Sequence, residues 1–334
     1  MERVFSQPFR LSGQTGLALA GFCTLAAIFY ALFHGTETIQ TQSFFDAFWN
    51  HQPSLAHDIL FQLRLPRILC AFVTGGLLAL AGCLMQALLQ NPLADPYILG
   101  VSGGASVGAL ICTVLGLSSF VIACGSWAGS LLTMVLVWIL SGHQQHKKEY
   151  NMLLTGIAIA SLSAAVVSIM LITSHHSTLR GMLFWMMGDL SDSSWPTMGF
   201  VVLIIGFICS FGLVNQLNVF VGGKEEAYAL GIPVAKLQIQ LYLLASLMTA
   251  TAVTIGGCIG FIGLIIPHLL RMGATSQHRY LLPSAVLLGA ALLIFADTFS
   301  QIILAPEQLP VGMIMTLIGV PIFLFLLRKN LHVV

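Results

Sequence analysis

The sequence predicts an all-α integral membrane protein of about ten transmembrane helices, organised as a single transmembrane domain over residues 1–334. Three observations predict it. Charge is scarce: 13 basic and 12 acidic side chains make up 7% of the chain, where a soluble protein carries about a quarter. The apolar fraction is 57% and the mean hydropathy +0.93, so too few polar groups exist to clothe a water-facing surface. Apolar stretches of span length also recur along the whole chain, and a helix needs about 20 such residues to cross the hydrocarbon. A net charge of +1 excludes the concentrated basic face that nucleic acid requires. Few charges alongside 21 Phe exclude disorder.

Charged residues leave uninterrupted the stretches 11–36, 68–94, 96–146, 150–179, 193–223, 237–270, 280–296 and 308–327. The first supplies a helix over 14–33. Its charged start and apolar run resemble a signal peptide, but no small-residue cleavage site follows Phe33, so an uncleaved first span is expected. Phe44, Phe45, Phe48 and Trp49 then recur at helical spacing, which predicts a short amphipathic helix at the outer interface. The second span, 65–89, opens on Arg64-Leu65-Pro66-Arg67 and closes before Asn91-Pro92-Leu93-Ala94-Asp95-Pro96, whose prolines stop a helix.

The stretch 96–146 is too long for one crossing, and Gly116-Leu117-Ser118-Ser119 divides it into helices over 98–116 and 120–140. The small residues from Leu99 to Ala109 let the third helix approach its neighbours closely. The fifth and sixth spans follow at 152–173 and 197–214. The charged inner loop, about 215–236, holds Ala227-Tyr228-Ala229-Leu230-Gly231, a short helix with a glycine stop, and then Pro233. Gly256-Gly257 and Pro267 divide 237–270 into helices over 237–255 and 259–271, and 281–304 and 310–327 complete the set. The third and eighth helices are short or glycine-interrupted.

Lys and Arg are retained on the cytoplasmic side. With both termini inside, the cytoplasm receives Arg3, Arg10, Lys147, Lys148, Lys224, Lys236, Arg271, Arg279, Arg328 and Lys329, while the outside receives Arg64, Arg67 and Arg180. Losing one span would send half of these charges to the wrong side. All seven cysteines fall inside spans without paired metal spacing, so neither a disulfide nor a zinc or other metal site is expected. Ala81-Gly82-Cys83 with Pro92 is echoed by Gly256-Gly257-Cys258 with Pro267, 175 residues on. An inverted repeat of helices 2–5 on helices 7–10 would suit a transporter, although small residues and prolines are common in membrane helices anyway.

Chemistry is sparse. Gly222-Gly223-Lys224 continues with Glu225, where a phosphate-binding loop needs a hydroxyl, so this chain offers no nucleotide site of its own. His175-His176 sits at an outer helix end as an exposed pair. Arg64 and Arg67, one turn apart, offer bidentate donors for carboxylates, or simply snorkel to the interface. Asp297, inside the ninth span, is a functional candidate because an intramembrane carboxylate is costly; its place toward the outer end also suits a hydrogen-bonded interfacial acid.

Several segments carry a resemblance: RLPR at 64–67, MQALLQNPLADPYILGVSGGASVGA at 85–109, EEAYALGIPV at 225–234, GFIGLIIPHLLR at 260–271, HRYLLPSAVLLGA at 278–290, and Glu307-Gln308-Leu309-Pro310-Val311-Gly312. In order, from about residue 60 to the end, they resemble the permease subunits of the iron-chelate and vitamin B12 ABC importers. The resemblance implies a ten-helix permease in the bacterial inner membrane that pairs with a second copy of itself around a central pathway. It implies two cytoplasmic ATPase subunits that carry ATP and Mg²⁺, an external substrate-binding protein, and no cofactor in this chain.

By position, Arg64 and Arg67 would dock acidic residues of the binding protein. Glu225, Glu226, Ala229, Leu230 and Gly231 would form the coupling helix seated in the ATPase, and Asn91 and Leu93 would border the inner gate. Glu149 and Tyr150 stand where the vitamin B12 permease has small hydroxyl residues at that gate, and Gln301 where it has a third outer arginine. Leu183-Phe184-Trp185-Met186-Met187-Gly188 resembles that permease closely. Ferric siderophore, haem and cobalamin all stay open as cargo. The competing expectation is an ion-coupled secondary transporter using Asp297 and the repeat. An intramembrane enzyme comes third, since the spans hold no paired acid–base or nucleophile–base set.

Overall fold

The computed structural model describes residues 11–36, 55–142, 148–191 and 195–331. The aromatic segment 44–49, Arg3, Arg10 and Lys147 lie outside them. The described residues are helical with no strand. Ten helices answer to the expected spans: α1 (Gly13–Phe33), α2 (Leu65–Leu88), α3 (Val101–Val114), α4 (Ser119–Leu140) and α5 (Lys148–Thr173) in the first half. After a short α6 (His176–Met186) come α7 (Pro196–Gly212), α8 (Val214–Phe220) and α9 (Lys224–Ala229). The last four are α10 (Val234–Gly256), α11 (Ile262–Gly273), α12 (His278–Ile302) and α13 (Val311–Leu331). Two departures stand out. α6 follows the fifth span where only a histidine pair was anticipated, and α8 bends away from α7 by 61°.

α2 is the central helix: 89% of its apolar window is buried, against 28% for α1 and α4 and 17% for α5. It continues outward through a π-helical turn, Ile59–Arg64, and the segment Leu55–Asp58. Helices α7, α10, α11 and α12 pack around it, while α1 lies on α12 and α3 pairs with α4. Close approach explains the small residues. A Cβ on Gly82 would overlap the backbone of Gly263 on α11, and one on Gly108 would overlap Gly125 of α4. The glycine run is therefore a packing surface, because backbones in lipid gain most by approaching closely. Outward, α1 and α13 are apolar all round and expose Phe22, Phe29, Leu317 and Phe325, as helices in hydrocarbon do.

The long stretch 237–270 divides at its glycines, α10 ending at Gly256 with Gly257 at φ 69°. Pro267 lies inside α11, as the expected bounds 259–271 place it. A proline cannot donate to the carbonyl four residues back, here Gly263. Gln86 of α2 takes over: its Nε2 donates to Gly263 O at 3.3 Å and to Leu264 O at 3.1 Å. Its Oε1 accepts from Arg271 Nη1.

The residue echo does not hold as a register. Ala81-Gly82-Cys83 lies within α2, whereas Gly256-Gly257-Cys258 spans the end of α10 and the break after it. What recurs is a sequence of lengths: α2 to α5 run 24, 14, 22 and 26 residues, and α10 to α13 run 23, 12, 25 and 21.

Candidate functional site: an outer cavity, an inner loop and an exposed helix

Arg64 closes the π-helical turn and Arg67 sits in the first turn of α2. The sequence suggested guanidinia offered to an external partner; the structure turns both inward. Arg67 is 11% exposed and grips Asp297 of α12 with two parallel bonds, Nε to Oδ2 at 2.8 Å and Nη2 to Oδ1 at 2.9 Å. Its Nη1 donates to Gln308 Oε1 at 2.6 Å, and Gln301 Nε2 donates to Asp297 Oδ2 at 2.8 Å. Arg64, 8% exposed, donates from Nη1 to the Leu32 carbonyl at 2.6 Å. These side chains, with Ser191 and Thr298, line a cavity of about 240 Å³. Asp297 is thus the hydrogen-bonded acid of the milder expectation, its charge matched by a planar bidentate partner.

At the far end of α2, Asn91 is exposed and ties the loop to itself: its Oδ1 accepts from Leu93 N at 2.9 Å and its carbonyl from Ala94 N at 3.1 Å. Asp95 then caps the short helix Pro96–Leu99, its Oδ1 accepting from Tyr97 N at 2.8 Å. Burial pushes the Asp95 carboxyl up to about 6, against the pull of that Tyr97 bond. Gly156 of α5 packs on the backbone of Ile98 and Leu99, which brings the start of α5 beside the loop. Tyr150 is 61% exposed there, and Glu149 is its helical neighbour.

α9 stands almost clear of the protein. Only Ala227 is buried, while Glu225, Glu226, Tyr228, Ala229, Leu230 and Gly231 are exposed, Leu230 at 65%. Two bonds stop the helix: Gly231 N to Tyr228 O at 3.0 Å and Ile232 N to Ala227 O at 2.9 Å, with Gly231 at φ 78°. This is the paired 5→2 and 6→1 closure in which a left-handed glycine follows the cap. Acidic residues fill the first turn, where the helix dipole favours them. Tyr228 and Leu230 give an apolar tip to a polar stub, a shape that inserts into a groove.

The sequence reading missed Gln86, Gln90 and Arg271, which join α2, α8 and α11. An uncharged amide in an apolar run announces itself weakly. The usable signal was Pro267, whose orphaned carbonyl demands a donor.

Comparison with known proteins fits this arrangement. Residues 23–329 match the model of the FecCD transport family. The chain is 39% identical over 324 residues to the hemin transport system permease protein HmuU of Yersinia pestis, covering 93% of this chain and 96% of that protein. It is 37% identical over 282 residues to the cobalamin import system permease protein BtuC of Halobacterium salinarum, covering 83% and 75%. A solved structure described as an inward-facing conformation of a metal-chelate type ABC transporter superposes with a TM-score of 0.83 at 29% identity, covering 95% of this chain and 99% of that one.

Proposed function

Since the chain belongs to the FecCD transport family and is one of its multi-pass membrane permeases, we propose that it forms the pathway of an ATP-driven importer for a large metal chelate. Haem, cobalamin and ferric siderophores are the cargo class. A second copy completes the central pathway, and two cytoplasmic ATPase subunits supply the ATP and Mg²⁺ chemistry that this chain does not carry. An external binding protein delivers the chelate. The setting is a bacterial inner membrane with both termini in the cytoplasm, as the distribution of Lys and Arg favours.

α9 carries the reading. An exposed six-residue helix held by one buried alanine and closed by a left-handed glycine has little to do within its own chain. It suits a partner's groove, where Glu225, Glu226, Ala229, Leu230 and Gly231 make the contact. Movement of α9 is transmitted to the inner gate bordered by Asn91, Leu93, Glu149 and Tyr150. On the outer face, a carboxylate of the binding protein enters the rim of the cavity and meets Arg64 and Arg67 in exchange for part of their internal bonding. The ion-coupled alternative loses its motive, because Asp297 is already matched by Arg67.

Proteoliposomes holding the permease, its ATPase and its binding protein test this. Loaded with haem, cyanocobalamin or a ferric siderophore, they import one class on addition of ATP, and vanadate stops it. Accumulation by the lone permease on a proton gradient would overturn the reading.

A further inference from the structure

Gln90 is one of three non-glycine residues with positive φ among the described residues, at 48°, and it occupies the left-handed position just past the end of α2. The same closure seen after α9 operates here: Gln90 N donates to Ala87 O at 3.2 Å and Asn91 N to Gln86 O at 3.1 Å. Glycine adopts this conformation freely and residues with a Cβ pay for it; Asn, Asp and His are the usual exceptions, and glutamine is not among them. A glutamine here therefore calls for a use of its side chain, and the structure supplies one.

Gln90 Nε2 donates to the carbonyl of Phe220 at 3.0 Å, across 130 residues of sequence. Phe220 ends α8 and is fully buried, so that carbonyl is a fixed point. The same oxygen accepts at 3.3 Å from the N–H of Gly223, the residue immediately before α9. On the other side, Gln90 is bonded covalently to Asn91, whose side chain orders Leu93. One amide thus bridges the root of the exposed helix and the first residue of the inner loop.

We propose that Gln90 is the positioning residue that couples α9 to the inner gate within one subunit. A push on α9 moves the Phe220–Gly223 corner, and the Gln90 amide draws the turn at Asn91 with it. The proposal rests on the coupling role given to α9 above.

The test compares Gln90→Gly and Gln90→Asn with the parent in the reconstituted importer, reading chelate imported per ATP hydrolysed, ATPase co-purification and the unfolding temperature. Glycine relieves the left-handed turn and removes the tether. Asparagine tolerates the turn but is one methylene too short to reach Phe220. Both should assemble and unfold at or above the parent temperature while import per ATP falls about fivefold, the factor equivalent to one hydrogen bond. An unchanged ratio overturns the proposal. So does a ratio that falls only in step with assembly or unfolding temperature, since that marks a purely structural turn. Absence of ATP-driven import in the parent vesicles is a separate result: it removes the function proposed above, and this coupling with it.

Discussion

Arg67 and Asp297 form a buried ion pair, and their burial decides what either is worth alone. Two charges removed from water repay the cost only while they face each other. Removing one leaves the other uncompensated, at about 3–5 kcal/mol. Arg67→Ala should therefore unfold at a markedly lower temperature in detergent, and so should Asp297→Ala. Arg67→Leu with Asp297→Leu should recover most of the loss, because matched apolar residues replace a buried pair at little cost. A double variant no better than either single one would mean that the pair does not set the stability of this rim. The pairing itself was not legible in the sequence. Arg64-Leu65-Pro66-Arg67 and Asp297 each drew notice as charges in apolar surroundings, but 230 residues separate Arg67 from its acid, and no local pattern reports such a contact.

Elements were far more legible than contacts, since the physics that makes a span is local: length, hydropathy, and glycine or proline at the breaks. α3 and α11, expected to be short, are 14 and 12 residues. α6 escaped because an 11-residue helix containing His176, Ser177, Thr178 and Arg180 matches neither a span nor a buried amphipathic stripe. α9 was legible from Ala227 to its stop at Gly231, although the helix begins three residues earlier at Lys224, and its closure gives a graded prediction. Gly231→Ala keeps the N–H that reaches Tyr228 O but places a Cβ at φ 78°, a strain of about 1–2 kcal/mol. Gly231→Pro cannot adopt that φ at all and loses the donor. Because a Cβ at 231 meets nothing within 4 Å, neither change should disturb packing inside the permease. ATPase co-purification should weaken with alanine and vanish with proline while the permease extracts and sediments normally. Retention of the ATPase by Gly231→Pro would remove α9 from the interface.

At the scale of the whole molecule, burial is lopsided. The apolar window of α2 is 89% buried and that of α5 only 17%, so α5 is finished by something other than its own chain. In the middle of α5 the exposed residues differ in chemistry from one flank to the other. Ala158, Ser161, Ala165 and Ser168 follow one another at steps of three or four, on a row that begins at Leu154 and ends at Ile172, both exposed as well, while Leu162 and Ile169 are exposed about a quarter-turn from Ser161 and Ser168. Both serines bond back along the helix, Ser161 Oγ to Ile157 O at 2.9 Å and Ser168 Oγ to Ala164 O at 2.8 Å, which satisfies them in an apolar setting without excluding water. In the pairing proposed above, the middle of such a helix has two environments: the small, hydroxyl-bearing flank of Ser161 and Ser168 toward the pathway, and the flank of Leu162 and Ile169 toward lipid or the partner. Single cysteines at Ser161 and Ser168, in a background with the exposed Cys124 and Cys209 replaced by serine, should react with a water-soluble maleimide in the assembled importer. Cysteines at Leu162 and Ile169 should not. The contrast should sharpen in the state whose pathway is open and shrink when cargo or nucleotide closes it. Equal labelling at all four positions would mean that α5 faces a single environment, and the pathway would then have to lie along a different helix.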